Sequence, residues 1–367
     1  MGHRLASRAR GRATAEEHRP TLAEGVAAVV RLAAGVAPGV GADADWAALL
    51  ALAKTHRLAA LAWLRGGETL RALAPAPLVA EWRNCWLTAT LRAQSQLRVH
   101  ARLGEALAAA GVRAVTLKGM PLSQRLYGDP AVRCSGDWDV YVDAAERDRL
   151  TRVLEAEGWE RVEGEPPFDE TFRLRRGPEL FYLEVHSSLL GERLASLPLP
   201  PPDAALAAID GRDVLAHTGP TLPGYLAVHL ATHSFPPALW WVDFHTLWQS
   251  MGDAERASAV ALARRAGVHR YLDWALRRSA GVQAMLDGDP AGARRLGFVA
   301  DRRRDVHQLW RHLLLAPGPG VAAAALTAWV RPRWAPADRS ALALLSARML
   351  RHWRALLPAS RGADPRA

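Results

Sequence analysis

Two carboxylates two residues apart, Asp137 and Asp139, form the pair in this sequence best suited to chemistry. They lie in Arg133-Cys134-Ser135-Gly136-Asp137-Trp138-Asp139-Val140-Tyr141-Val142. After Gly136 the residues alternate, which predicts a strand. Asp137, Asp139 and Tyr141 share one face, and Trp138, Val140 and Val142 the other. The two carboxylates are then about 7 Å apart along the strand. Anions that close repel unless one is protonated or a cation sits between them. Mg²⁺ (or Mn²⁺) suits such a site, held by one or two carboxylates plus substrate phosphates.

A third carboxylate follows in Phe181-Tyr182-Leu183-Glu184-Val185-His186. Here Phe181, Leu183 and Val185 share an apolar face, and Tyr182, Glu184 and His186 the opposite one. If this strand lies beside the Asp137 strand, Glu184 joins the aspartates. Three carboxylates can hold two metals that clamp the attacking and leaving oxygens of a phosphoryl displacement. Glu184 is also placed to take an acceptor's proton. Without the neighbouring strand, Glu184 and His186 are merely a solvated strand face.

Lys118 is one of only two lysines in the chain, the other being Lys54; every other fixed positive charge on a side chain is Arg. It follows a predicted strand and precedes a predicted helix, where an ammonium can meet a phosphate. Gly119 lets a phosphate approach the backbone at that helix start. Arg133 and Ser135 are candidates for the β- and γ-phosphates. Arg133 is equally suited to pair with Asp129 or Asp137. Further on, His229 and His233 stand four residues apart on a predicted helix, a zinc-compatible spacing. Leu230 occupies the place of a zinc protease's glutamate, so the expectation is pocket-lining or core histidines. With His186, Asp243 and His245, they are candidates for an acceptor pocket.

Leu117-Lys118-Gly119, Leu126-Tyr127-Gly128-Asp129, Arg133 and Ser135-Gly136-Asp137-Trp138-Asp139-Val140 together resemble the uncharacterised nucleotidyltransferase family of the DNA-polymerase-β-like superfamily. Glu184-Val185-His186 is similar to that family's acidic-x-His strand, with Glu where Asp is common. The resemblance covers about 113–190 well and extends more loosely through His229, His233 and Trp240-Trp241-Val242-Asp243. It implies a minimal nucleotidyltransferase fold and metal-dependent transfer of a nucleoside monophosphate from an NTP. Asp137, Asp139 and Glu184 take the metal-binding positions it implies. One departure stands out: Gly119-Met120 replaces the wider superfamily's Gly-Ser pair. That departure motivates an alternative, a nucleotide-binding or interaction module with little catalysis.

The elements that must position these residues follow from pattern and punctuation. Thr21 and Glu24 form a capping box opening a helix to about residue 36, and Asp45 caps another to about 56. Helix continues over 57–65 and stops at Gly66-Gly67, and a long helix spans 77–110. Strands are expected at 113–117, 137–142, 159–162, 171–175 and 180–187, with helices at 120–127 and 144–157. After the proline-rich 198–202, helices are expected at 203–208, 220–234, 238–250, 253–266, 268–279, 302–315, 321–330 and 337–355. The fold class is therefore α+β, a small mixed β-sheet core flanked by N- and C-terminal helical regions. The expected division is a basic disordered leader (1–20), a helical region (21–110), the core (111–197), a second helical region (203–355) and a disordered tail (356–367).

Composition bounds the remaining choices. The chain has 367 residues, half of them hydrophobic, and a formal charge of +10. That charge is Arg spread along the sequence rather than gathered in a run, so it is weak support for nucleic acid as partner. The expected partners are a nucleotide and an unidentified acceptor: a small molecule, a peptide or a protein. Two cysteines make neither a disulfide framework nor a zinc pattern, which fits a cytoplasmic protein. No stretch has the length of a membrane span. Trp310, Trp329, Trp334 and Trp353 stud a basic C-terminal region suited to helix packing or to lying on a membrane or partner.

Overall fold

The computed structural model describes residues 21–133, 136–162, 170–190, 194, 197–233, 236–296, 311 and 313–330. Ser135, three of the four C-terminal tryptophans, the expected leader and tail, residues 302–310 of the helix expected at 302–315, and the helix expected at 337–355 lie outside the described residues.

A seven-stranded mixed sheet runs in the order β3-β4-β5-β2-β1-β7-β6. Its strands are β1 (Val115–Thr116), β2 (Asp137–Tyr141), β3 (Glu160–Arg161), β4 (Glu170–Arg176), β5 (Glu179–His186), β6 (Asp203–Ile209) and β7 (Arg212–Thr218). The alternation read from sequence decides its two faces. Trp138, Val140, Phe181, Leu183 and Val185 turn to one side and build a core with Leu150, Leu154, Leu103 and Leu107. The helices behind that face are α6 (Arg147–Ala156) and the C-terminal half of α4 (Ala76–Ala109). Asp137, Asp139, Glu184 and His186 are thereby turned to the opposite face.

The sheet is larger than expected because 203–218, where a helix was expected at 203–208, forms two strands. Asp203–Ile209 is rich in alanine, a strong helix former. Asp210-Gly211 overrides that local preference. Both residues have positive φ, 47° and 72°, the backbone of a two-residue hairpin turn with the strands' own twist. β7 then pairs in parallel with β1, Thr116 opposite Ala216, so the hairpin lies beyond the expected core boundary at 197.

The helical regions form one body. α1 (Leu22–Ala33), α2 (Trp46–Thr55) and α3 (Ala59–Leu73) share a continuous core with α7 (Thr221–Thr232), α8 (Ala238–Ser250), α9 (Asp253–Arg265), α10 (His269–Leu286) and α11 (Ala291–Leu296). Trp46, Trp82, Trp241, Tyr271 and Phe244 are its largest fully buried side chains. The capping box forms: the Thr21 hydroxyl accepts from the Glu24 amide, and the Glu24 carboxylate accepts from the Thr21 amide at 2.7 Å. The Asp45 carboxylate caps α2 through the Ala48 amide at 2.9 Å.

Gly66 and Gly67 do not end a helix; α3 runs through them to Leu73. A Cβ at Gly66 would lie 2.8 Å from the Leu32 carbonyl oxygen. The glycine serves close approach of α1 and α3, a packing need that outweighs its poor helix propensity.

Candidate active site

β2 and β5 pair in parallel, with Asp137 opposite Tyr182, Asp139 opposite Glu184 and Tyr141 opposite His186. Asp139, Glu184 and His186 converge until one ligand atom from each lies within 4.8 Å of the others. His186 Nε2 is 3.3 Å from Asp139 Oδ1 and 3.9 Å from Glu184 Oε2. Asp137, one step back along β2, lines the same cavity without entering that tightest set. His186, expected in an acceptor pocket, is thus among the potential ligands.

The cavity is about 1260 Å³. Lys118, Gly119, Arg133, Asp137, Asp139, Glu184, His186 and His233 all line it. Lys118 Nζ makes an ion pair with Asp139 Oδ2 at 3.0 Å. Gly119 opens α5 (Met120–Tyr127) with φ 77°, a conformation that favours glycine, and no side chain caps that helix start. A Cβ there would meet open space, so the glycine answers the backbone angle and leaves the helix end accessible.

Arg133 pairs with neither Asp129 nor Asp137. Its Nε lies 3.1 Å from Asp243 Oδ2, deep beneath the cavity wall. Tyr127 Oη donates to Asp243 Oδ1 at 2.5 Å. Asp243, proposed from sequence for an acceptor pocket, is 1 % exposed and is not among the residues lining this cavity; it pairs with the Arg133 guanidinium. Burial pushes the Asp243 carboxyl up to about 6 against the opposing pull of Arg133 and the Tyr127 hydrogen bond. His245 is likewise buried and absent from the cavity lining.

His229 and His233 form part of an aromatic wall. Their ring centroids are 4.6 Å apart, and Trp240 lies 4.6 Å from the first and 4.7 Å from the second. Burial, reinforced by Lys118, holds His233 down at about 4 and His229 well below the ordinary imidazole value. Both histidines pack on the tryptophan and line the cavity. They are not members of the ligand cluster found among the described residues.

The carboxylates differ sharply. Burial alone would raise Asp139, but Lys118 and His186 outweigh it and hold the carboxyl well below the ordinary range. Glu184 is pushed up to about 7 by burial, then by the negative charges of Asp139 and Asp137. One acid is fixed as an anion and its neighbour sits near neutrality, an arrangement found where acid–base or metal chemistry is done.

Comparison with known families places the chain. The chain belongs to the uncharacterised nucleotidyltransferase family. Residues 42–280 match it, a span from the loop before α2 into α10. Among solved structures, an antigenic nucleotidyltransferase-like protein from Paracoccidioides brasiliensis is similar, with 17% identity, 48% of this chain and 91% of that one covered, and a TM-score of 0.31. No curated protein matches. The family span reaches into both helical regions, and two cavity-lining residues from the first, Arg57 and Arg92, were not singled out by sequence. No periodicity marks either as functional, because each is one arginine among many.

Proposed function

We propose that this protein transfers a nucleoside monophosphate from an NTP to an acceptor hydroxyl, with Mg²⁺ or Mn²⁺ at the carboxylates. The observation that carries the reading is the convergence of Asp139, Glu184 and His186 beside Lys118 at the mouth of α5. The donor set fits a hard divalent ion: carboxylate oxygens suit Mg²⁺ and Mn²⁺. Lys118 already holds a positive charge against Asp139, where charge compensation is required. A divalent ion bound there supplies charge neutralisation at the α-phosphate and the leaving pyrophosphate.

The chain's own residues do the rest by position. Lys118 and the uncapped start of α5 face the cavity where the phosphates of an NTP would lie. The buried Arg133, anchored by Asp243, lines the same cavity. Ser135 stays a proposed phosphate contact from sequence. The aromatic wall of His229, His233 and Trp240 lines the same cavity, with Lys118 Nζ 6.0 Å from the Trp240 ring centroid.

The test is nucleotide transfer from each α-labelled NTP to a metabolite pool, with Asp137→Asn and Asp139→Asn beside the wild type. Transfer that survives either substitution would end this mechanism. A second reading, a binding module with negligible catalysis, is favoured by Gly119-Met120 standing where Gly-Ser is usual. Titration calorimetry with the four NTPs separates the two, since nucleotide binding indifferent to Mg²⁺ favours the module.

A further inference from the structure

The site opens into two hollows, not one. Beside the main cavity lies a groove of about 750 Å³ over β4 and β5, bordered by Thr171, Phe181 and Tyr182 of the sheet and Gln96 of α4. Arg57, Arg92, Gly136, Asp137 and Glu184 line both hollows. The carboxylates therefore stand at a junction.

Strand order gives the junction a direction. Lys118 and Gly119 follow β1, the acidic strands β2 and β5 come next, and the groove lies over β5 and β4. Adjacent strands are about 4.8 Å apart, so the Lys118–Gly119 side and the groove flank the carboxylates from opposite sides. In-line displacement needs that arrangement, with the attacking oxygen and the leaving group on opposite sides of the α-phosphorus.

The two arginines at the groove are unspent. Lys118 is paired with Asp139, Arg133 with Asp243 and Lys54 with Glu81. Among the described residues, neither Arg57 nor Arg92 makes an ion pair with an acid; the Arg57 guanidinium lies 5.9 Å over the Trp240 ring. The groove's own acid, Glu179, accepts the Ser95 hydroxyl at 2.5 Å.

Arg57 also occupies a backbone position that resists arginine. It follows the C-cap of α2 with φ 58°. Its amide donates to the Lys54 carbonyl at 3.1 Å and the Leu58 amide to the Ala53 carbonyl at 2.8 Å. That is the Schellman ending of a helix, whose left-handed residue is usually glycine. An arginine held there against a steric penalty points to work done by its side chain.

We propose that the groove is the acceptor site, and that Arg57 and Arg92 bind an oxyanion, phosphate or carboxylate, borne by a small acceptor beside its hydroxyl. The proposal rests on nucleotidyl transfer with the NTP phosphates on the Lys118–Gly119 side. The acceptor hydroxyl oxygen bonds to the α-phosphorus as the bond to the β-phosphate's bridging oxygen breaks. Pyrophosphate leaves with that electron pair, and the hydroxyl proton passes to water in the groove. The groove's size suits a small molecule.

The test fills the donor side first. Wild-type protein is saturated with Mg²⁺ and whichever α,β-methylene NTP binds, then titrated calorimetrically with glycerol 3-phosphate, glycerate and glycerol. Glycerol 3-phosphate, glycerate or both are expected to add to the nucleotide-filled protein, showing which oxyanion is read, and glycerol is not. Arg92→Gln should weaken that second binding at least tenfold and leave the nucleotide Kd within twofold. Arg57→Gly should also weaken that second binding while melting no lower than wild type, which separates lost binding from lost folding. The proposal is overturned if no oxyanion adds to the filled protein, or if Arg92→Gln weakens the nucleotide as much as the oxyanion. Absence of Mg²⁺-dependent nucleotide binding in the wild type would instead sink the nucleotidyl-transfer reading beneath it.

Discussion

Asp139 and Glu184 stand opposite one another on the parallel pair β2–β5, yet their carboxyls are driven in opposite directions. Asp139 has Lys118 at 3.0 Å and His186 at 3.3 Å. Burial and the charges of Asp139 and Asp137 hold Glu184 near neutrality. Two acids in adjacent register thus behave as a fixed anion and a group poised to exchange its proton.

The carboxylates should be individually indispensable to transfer. Asp139→Asn removes the anion that anchors Lys118 and His186, and Glu184→Gln removes the acid opposite it. Each should lower nucleotide transfer by more than about 100-fold, since even the partners of metal ligands cost 10–100-fold. Initial rates at saturating Mg²⁺ and NTP check this, with far-ultraviolet circular dichroism confirming the fold.

Lys118→Met should cost stability as well as activity. The side chains of Lys118 and Asp139 are 12% and 4% exposed. Removing one partner strands the other's charge in a poorly solvated place, a loss of about 3 kcal/mol for a buried pair. Denaturant unfolding at neutral pH should show that loss. Asp139→Asn/Lys118→Met together should lose less than the sum of the two single changes, because the stranded charge is gone.

His100 should make the fold acid-sensitive. It is stacked on Trp138 at 3.5 Å between ring centroids, and burial holds it at about 3 against an ordinary 6.5. Above 6.5 neither the folded nor the unfolded chain carries the proton, and no penalty exists. Below it the unfolded chain binds the proton and the folded chain does not, so stability falls by about 1.4 kcal/mol per pH unit until near 3. His100→Phe removes this term. The stability difference between variant and wild type should grow by about 2 kcal/mol from pH 7.5 to pH 5, read from urea unfolding at each pH.

Arg57→Gly should stabilise the fold. A left-handed conformation costs a non-glycine residue roughly 1–2 kcal/mol, and glycine's greater freedom when unfolded returns part of that. The net gain should be about 1 kcal/mol in chemical denaturation. A loss would mean that the Arg57 side chain stabilises the fold by more than its backbone strain costs.

The faces of β2 and β5 were legible in the chain itself. Strict alternation through Asp137-Trp138-Asp139-Val140 and Phe181-Tyr182-Leu183-Glu184-Val185-His186 fixes which residues share a side, since the period of a strand is two. The capping box of Thr21 and Glu24 was equally legible, because a cap is satisfied by residues three apart. The hairpin at 203–218 was open to reading in Asp210-Gly211, but alanine propensity pointed the other way and a local preference lost to a turn and its partner strand.

Other decisions belong to tertiary structure alone. Only the parallel register of β2 on β5 brings Glu184 opposite Asp139 and His186 within reach of both. Arg133's partner, Asp243, is 110 residues away in the sequence (243 − 133), and no local pattern encodes such a pair. Gly66 reads as a helix stop until α1 is seen crossing it. Arg57 and Arg92 come to line the cavity only when the turn after α2 and the helix α4 are brought beside the acidic strands. Sequence determines what each segment can do, because propensity, periodicity and capping act over a few residues. Which side chains meet is decided by long-range packing.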